Sequence, residues 1–311
     1  MLKLATKDLV IGAECQPPCT FSGPRRLAFS LLTILLGLVA CQNSPATDGE
    51  VLRTDICILG GSEAGFTAAI QAARMGRDVV LIEPTGHPGG MMVEGIAKDI
   101  RFGSAVVIGG IARELYTSIE AHYGREPRFD EPGWYSRYEP AVAEARIEAL
   151  LAAEPRIRLL RKTRIRESGG VRKEGAKVQS IVLENGQEIA ATVFIDASIE
   201  GDLLHLAGIA TETIREGNAR YGETKNGIQV KNDYRQFQVQ VDPYVVPGDP
   251  SSGLIATIQE GELGAYGAPD KHIQGYCYRL VLTRDSANRL PITRPANYDP
   301  ADYEIYRRYL A

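Results

Sequence analysis

The sequence lacks an excess of basic residues, a dense set of cysteines and any familiar metal or P-loop motif. Its 35 Lys and Arg residues are outnumbered by 39 Asp and Glu residues, which excludes the basic surface that nucleic-acid binding requires. Five irregularly spaced cysteines are too few for a disulfide framework. Neither an HExxH motif nor a Cys/His pair with ligand spacing is present, so we expect no metal site.

The composition is close to that of an ordinary globular protein. Hydrophobic residues make up 44% of the 311 residues and charged residues 24%, which excludes a disordered polymer, a collagen and a coiled coil. This length is typical of about two domains, and a chain of this size needs no disulfides to stabilise its core.

Residues 1–40 have the features of a targeting segment. Arg25 and Arg26 precede an apolar run at 27–40, which as a helix would be about 21 Å long. This is too short for a hydrocarbon core of about 30 Å, but it suits the apolar region of a secretory signal. The run ends in Leu38-Val39-Ala40-Cys41, which resembles the lipobox of bacterial lipoproteins.

The lipobox resemblance implies that residues 1–40 are a signal peptide and that Cys41 is lipidated. Residues 41–52 would then be a polar tether, and the protein would be exported and anchored to a bacterial membrane, on its periplasmic or cell-surface face. The arginine pair leaves both general secretion and twin-arginine export open. The alternative is a buried helix with an incidental cysteine.

Residues 55–83 follow the order strand, glycine turn, helix, strand and acid, which is typical of a dinucleotide-binding unit. Gly60 permits a tight turn after the first strand, and Gly65 lets the helix at 66–75 lie close to the sheet. The helix N-terminus attracts a pyrophosphate. Glu83, at the end of the second strand, is suited to accept hydrogen bonds from ribose hydroxyls, which favours FAD or NAD over NADP.

Serine replaces the middle glycine of this fingerprint at position 62. We expect the Ser62 backbone to approach the phosphates less closely than glycine would, and its hydroxyl to donate to them instead. An ordinary strand–helix–strand unit with a glycine-rich turn is the alternative interpretation.

A second glycine segment, GHPGGMM, follows Glu83. Together with GGSEAG it resembles the FAD-dependent oxidoreductase family associated with xanthan lyases, within the glutathione-reductase-like flavoproteins. The resemblance covers residues 53–311 and implies that FAD is the cofactor. The cofactor-binding residues that it implies are Gly60, Gly61, Ser62, Ala64, Gly65, Glu83, Gly89, Gly90, Met91, Ile165, Gly201 and Asp202.

Several of these positions have a distinct role in the family. The backbone of Gly89-Gly90 passes close to the cofactor, and Ile165, at the end of a strand predicted at 157–165, would contact the adenine through its backbone. Gly201 and Asp202 match the second flavin motif, although Ser198-Ile199 stands where Thr-Gly is common.

The flavin performs the redox step, so the protein has few catalytic tasks of its own. Our candidate catalytic residues are His87, Tyr276 and Arg279. His87 lies in the glycine loop, and the other two lie in a GYCYR segment that faces the substrate in the family. The ordinary alternatives are a histidine that caps a turn and a core strand whose tyrosines pack.

The family resemblance implies a two-electron oxidation or dehydrogenation of a small molecule by hydride transfer to flavin. It names neither the substrate nor the electron acceptor, although the association with xanthan lyases suggests a carbohydrate-derived compound. The main alternative is a cofactor-free binding lipoprotein on a decayed flavoprotein fold. An α/β-hydrolase is disfavoured because the turn has one residue too many between Ser62 and Gly65.

The predicted fold is α/β. A Rossmann-like FAD-binding domain at 53–210 has a parallel sheet and a β-hairpin, and an inserted α+β substrate domain follows at 211–311. Asn185-Gly186, between strands predicted at 178–184 and 187–193, indicates the hairpin. Because such flavoproteins return at the C-terminus to complete the FAD domain, we expect the chain to be C-terminally incomplete.

The lipobox can be tested by replacing one atom. We expect Cys41→Ser to leave an unprocessed precursor in a bacterial host, because the hydroxyl cannot take the place of the thiol that receives the lipid. Immunoblotting of membrane and soluble fractions, with Cys57→Ser as the control, measures the two forms. Normal maturation of Cys41→Ser would contradict the assignment.

Overall fold

The structure, a computed structural model, describes residues 51–94, 105–229, 237–272 and 282–311. The strands in these ranges are β1 (Leu52–Leu59), β2 (Val79–Glu83), β3 (Ile157–Arg161), β4 (Val171–Glu174), β5 (Lys177–Val182) and β6 (Glu188–Asp196). The α-helices are α1 (Glu63–Arg74), α2 (Met91–Glu94), α3 (Gly110–His122), α4 (Pro140–Ala152), α5 (Asp202–Leu206) and α6 (Glu304–Leu310). Three predicted site residues, Cys41, Tyr276 and Arg279, lie outside the described ranges.

The six strands form one sheet in the order β3-β2-β1-β6-β5-β4. The first four are parallel neighbours, and β5 and β4 extend the sheet in antiparallel fashion. This arrangement confirms the predicted α/β class, with a parallel sheet and a β-hairpin. Because β1, β2 and β6 run in the same direction, their carboxyl ends meet at one edge.

The parallel sheet is most apolar at its centre, where all residues of β2 and the last three of β1 are buried because both faces are covered. Ile58 and Leu81 face a cluster formed with α1, α3 and α4. Val80 and Ile82 face the opposite side, where they pack with residues of β5 and β6. Each fully buried aliphatic side chain stabilises the fold by about 1.5–3 kcal/mol. The buried side chains of β1 and β2 therefore fix the positions of the strand ends.

Helix α1 begins three residues before the helix predicted at 66–75, because Ser62 caps its N-terminus. Phe66, Ala69, Ile70 and Ala73 are buried, which is the spacing of one helical face. The small alanines let this helix lie close to β1 and β2.

Two predicted elements have different bounds in the structure. The strand predicted at 157–165 ends at Arg161, because Lys162 has a φ of 51° and turns the chain. Ile165 then forms an isolated bridge with Leu183. The predicted hairpin is confirmed as the antiparallel pair β5 and β6, and β4 was not predicted.

The chain divides into two units, one of 46–227 with 267–294 and one that includes 228–266 and 295–311. In the second unit, Arg308 of α6 donates hydrogen bonds to three carbonyls of one loop, those of Asp242, Tyr244 and Val245. The domain bounds predicted at residue 210 remain a prediction. Within the described ranges, no helix is long and apolar enough to cross a bilayer.

The thiol of Cys57, in the middle of β1, gives a test of this core. Cys57 is 1% exposed, and burial raises its pKa to about 12. We expect it to resist maleimide labelling in the native protein and to react once the chain unfolds in urea, because only an accessible thiolate is reactive. Peptide mass spectrometry identifies the labelled cysteine. Equal labelling rates with and without urea would show that β1 is not buried.

Candidate functional site

The turn after β1 is built from glycines because three segments of backbone meet there. Gly60 has a φ of +98°, and a Cβ atom at this position would lie 2.5 Å from the carbonyl oxygen of Ala197, which follows β6. A Cβ at Gly65 would overlap the carbonyl oxygen of Gly60. Both glycines are therefore needed for α1 to start so close to the strand ends.

Ser62 links this turn to β6. Its hydroxyl donates to the carbonyl oxygen of Ala197 at 2.6 Å and accepts from the N–H of Gly65 at 3.4 Å. The sequence-based expectation was that this hydroxyl would donate to a phosphate, whereas here its proton is used within the protein. The remaining N–H groups of the first turn of α1 have no partner inside the helix and stay suited to an anion.

Glu83 is a buried carboxylate, 5% exposed, at the end of β2. Its Oε2 accepts from the N–H of Gly61 at 2.8 Å. Its Oε1 accepts from the N–H and the hydroxyl of Thr85, at 2.7 and 2.8 Å. A carboxylate has about four acceptor sites, so one remains for a ribose hydroxyl.

The second glycine pair docks against the first turn. Gly89, with a φ of +130°, donates its N–H to the carbonyl oxygen of Gly61 at 2.7 Å. A Cβ at Gly90 would lie 2.6 Å from Oε2 of Glu63, whose Oε1 accepts the N–H of Met92 at 3.0 Å. The loop is thus tied to both the turn and the first residue of α1.

The segment after β6 satisfies its own polar groups. Asp196 accepts the N–H and the hydroxyl of Ser198 at 2.9 and 2.6 Å. The Ser198 hydroxyl in turn accepts the N–H groups of Gly201 and Asp202 at 3.0 and 3.1 Å. The serine therefore fixes the turn that leads into α5, although it departs from the common family residue. The N–H of Leu204 likewise donates to Oδ2 of Asp196 at 2.9 Å, and the carboxylate of Asp202 lines the cleft, where it can contact a cofactor.

Ile165 carries a buried donor and a buried acceptor. Ile165 lies opposite Leu183 in an isolated bridge, and the hydrogen bonds on either side of the pair are made by neighbouring residues. The N–H of Arg166 donates to the carbonyl of Val182, and the N–H of Glu184 donates to the carbonyl of Arg164. In such a pair, the N–H and C=O of the central residue point away from the partner strand. Ile165 is 6% exposed, and within the described part of the chain neither group has a hydrogen-bond partner.

These features surround one cleft of about 670 Å³ within the first unit. Eight predicted site residues line it: Gly60, Gly61, Ser62, Glu83, His87, Gly90, Ile165 and Asp202. Five others support the surrounding turns and helices instead: Ala64, Gly65, Gly89, Met91 and Gly201. Among the described residues, no group of His, Cys, Asp and Glu could hold a metal ion.

Two basic residues that line the cleft, Arg164 and His205, were not among the predicted site residues. Arg164 directly precedes Ile165, and His205 lies three residues after Asp202 on α5, which places it on the same helix face. That spacing was the available signal for His205.

The family model for FAD dependent oxidoreductases matches residues 55–311. The chain belongs to this family. FAD is accordingly its cofactor. The fit to the site is physical as well, because the cleft offers a ribose acceptor, a helix N-terminus and the unpaired backbone groups of Ile165.

The chain also resembles several solved structures. L-proline dehydrogenase from P. horikoshii has 16% identity and a TM-score of 0.39, over 53% of this chain and 59% of that one. Flavin-dependent brominase Bmp2 has 18% identity and a TM-score of 0.39, over 52% of this chain and 42% of that one. Aquifex aeolicus GidA has 16% identity and a TM-score of 0.36, over 55% of this chain and 29% of that one. The chain thus spans less than two thirds of each. No curated protein matches it significantly.

Glu83 provides the sharpest test of the cofactor site. We expect Glu83→Ala to weaken FAD binding by about 1.5–3 kcal/mol, since a hydrogen bond to a charged acceptor is lost. Fluorescence titration of the apoprotein with FAD, well below its melting temperature, measures the change.

Glu94→Ala is the matched control, because Glu94 lines the same cleft and carries the same charge. Its removal should leave FAD binding unchanged or slightly stronger, since it takes away only repulsion toward the pyrophosphate. Equal losses in the two variants would contradict the specific role of Glu83.

Proposed function

We propose that FAD lies in this cleft with its adenine against the backbone of Ile165, its ribose at Glu83, its pyrophosphate at the N-terminus of α1 and its ribityl chain near Asp202. The observation that carries the proposal is the pair of buried, unpaired backbone groups at Ile165. Adenine presents an acceptor at N1 beside a donor at N6, which complements an N–H beside a C=O.

The reaction proposed is a two-electron dehydrogenation of a small molecule. Bound FAD would supply the acceptor for the hydride that leaves a substrate C–H bond, and a proton leaves the neighbouring hydroxyl or amine. The chain itself binds and orients both partners. Tyr276 and Arg279 remain candidates for the substrate side, and a carbohydrate-derived substrate and membership of the glutathione-reductase-like subgroup remain proposals. The electron acceptor is unassigned.

We further propose that the enzyme works outside the cytoplasm, anchored to a bacterial membrane through a lipid on Cys41. The support is the order of basic pair, apolar run, small residues and cysteine in the sequence. Export with FAD already bound would require the twin-arginine route, since that route carries folded proteins.

The competing interpretation is a cofactor-free lipoprotein on a decayed fold, with Ser62 and Ser198 as signs of decay. Both serines instead make hydrogen bonds that hold the cleft turns in shape. The family match also favours a flavoprotein over this alternative. A purified full-length protein that is colourless and cannot be reconstituted with FAD would nevertheless favour the cofactor-free lipoprotein.

An FAD analogue tests the adenine contact without changing the protein. Hypoxanthine has a donor at N1 and an acceptor at O6, so both of its groups oppose those of Ile165. We expect flavin hypoxanthine dinucleotide to bind on the order of 100-fold more weakly than FAD, because two buried groups are left unsatisfied.

Fluorescence titration of the same apoprotein with the two dinucleotides gives the ratio. FMN, which lacks the adenosine, is the control for contacts made by the flavin half alone. Equal affinity for FAD and its hypoxanthine analogue would remove Ile165 from the site. An anaerobic substrate screen that follows bleaching of the flavin absorbance then addresses the substrate.

A further inference from the structure

His87 lies in the loop between β2 and α2, on the wall of the cleft, and its ring contacts a neighbouring helix. Its Nδ1 is 2.7 Å from Oε1 of Glu144, which lies on α4. The His87 side chain is 59% exposed, whereas that of Glu144 is 23% exposed. The contact therefore joins an exposed side chain to a half-buried acid on a packed helix.

Helix α4 is a fixed support for this contact. Ala143 and Ile147, on either side of Glu144 along the helix, are fully buried in the core cluster shared with α1 and the sheet. Glu144 therefore has little freedom to follow the loop, and the His87 ring is held where the helix places its partner.

The loop that carries His87, residues 84–90, is also connected to the ribose acid. The N–H of His87 donates to the hydroxyl of Thr85 at 3.0 Å, and that hydroxyl donates to Oε1 of Glu83 at 2.8 Å. A continuous set of contacts thus runs from the Glu83 carboxylate, through Thr85 and His87, to Glu144.

The far end of the same loop is held at the first glycine turn. Gly89 donates its N–H to the carbonyl of Gly61 at 2.7 Å, and Arg161 donates to the carbonyl of Gly86 at 3.0 Å. The loop therefore spans the stretch between the ribose acid and the glycine turn. His87 is at its centre, on the adenosine and pyrophosphate side of the cleft.

We propose that His87 and Glu144 are a positioning pair that holds loop 84–90 against FAD, and that His87 is not the acid–base residue of the reaction. The pair acts through Nδ1 and slows cofactor release. This inference rests on the proposed placement of FAD in the cleft. It replaces the catalytic role considered for His87 in the sequence, because the loop holds that ring between the ribose acid and the glycine turn, on the adenosine and pyrophosphate side of the cleft.

Two amide variants separate the two ring nitrogens. The amide nitrogen of Asn is bonded to Cγ, as Nδ1 is, whereas the amide of Gln lies one bond further out, at the place of Nε2. We expect His87→Asn to release FAD at the wild-type rate. His87→Gln, His87→Ala and Glu144→Ala should each release it about 2–5-fold faster, the scale of an exposed polar contact with a carboxylate.

The measurement is the recovery of flavin fluorescence after dilution of the loaded, full-length protein. The double variant His87→Ala with Glu144→Ala should be no faster than either single variant, because both remove the same interaction. Melting temperatures of all the apoprotein variants, measured in parallel, separate a cofactor effect from a loss of stability.

Three results would overturn the pair. In the first, His87→Gln keeps the wild-type rate of FAD release and His87→Asn does not. In the second, the release rate is unchanged in both alanine variants. In the third, the double variant releases FAD faster than either single variant, by the sum of the two effects. A wild-type chain that takes up no FAD would instead overturn the proposed function, and the pair with it. The two failures are therefore distinguishable in one series of experiments.

Discussion

The close approach of backbone at the end of β1 is the constraint on which the rest of the site depends. Gly60 faces the carbonyl of Ala197, and Gly65 faces the carbonyl of Gly60, with no room for a Cβ atom at either glycine. This packing brings the start of α1 over the edge of the sheet, and it brings Gly61 within hydrogen-bond distance of Glu83. The cleft follows from the way in which the helix and the strands pack.

Polar side chains then fix the walls that this packing creates. Ser62 joins the first turn to β6, Ser198 holds the start of α5, and Glu63 holds the second glycine loop. Each of these contacts is made between protein groups. Contacts of this kind hold the walls of a site in place and so reduce the ordering that binding would otherwise require.

Sequence reasoning succeeded where the signal was local. The strand–turn–helix–strand order at 55–83 and the Asn185-Gly186 turn each depend on neighbouring residues, and both have the expected form. The edge strand β4, with the sequence VRKE, has almost no apolar pattern, so nothing marked it as a strand. Contacts across the chain were equally hidden: the Glu144 partner of His87 is 57 residues away, and no spacing rule connects them.

The three hydrogen bonds on the Glu83 carboxylate have a consequence for how the family can diverge. The same side chain holds the glycine turn and anchors Thr85. In the placement of FAD proposed above, its last acceptor site is the one that contacts the ribose. A change of residue at this position would therefore disturb the architecture of the turn as well as the choice of dinucleotide. In that placement, a cofactor with a phosphorylated ribose would need changes elsewhere in the turn as well as at Glu83.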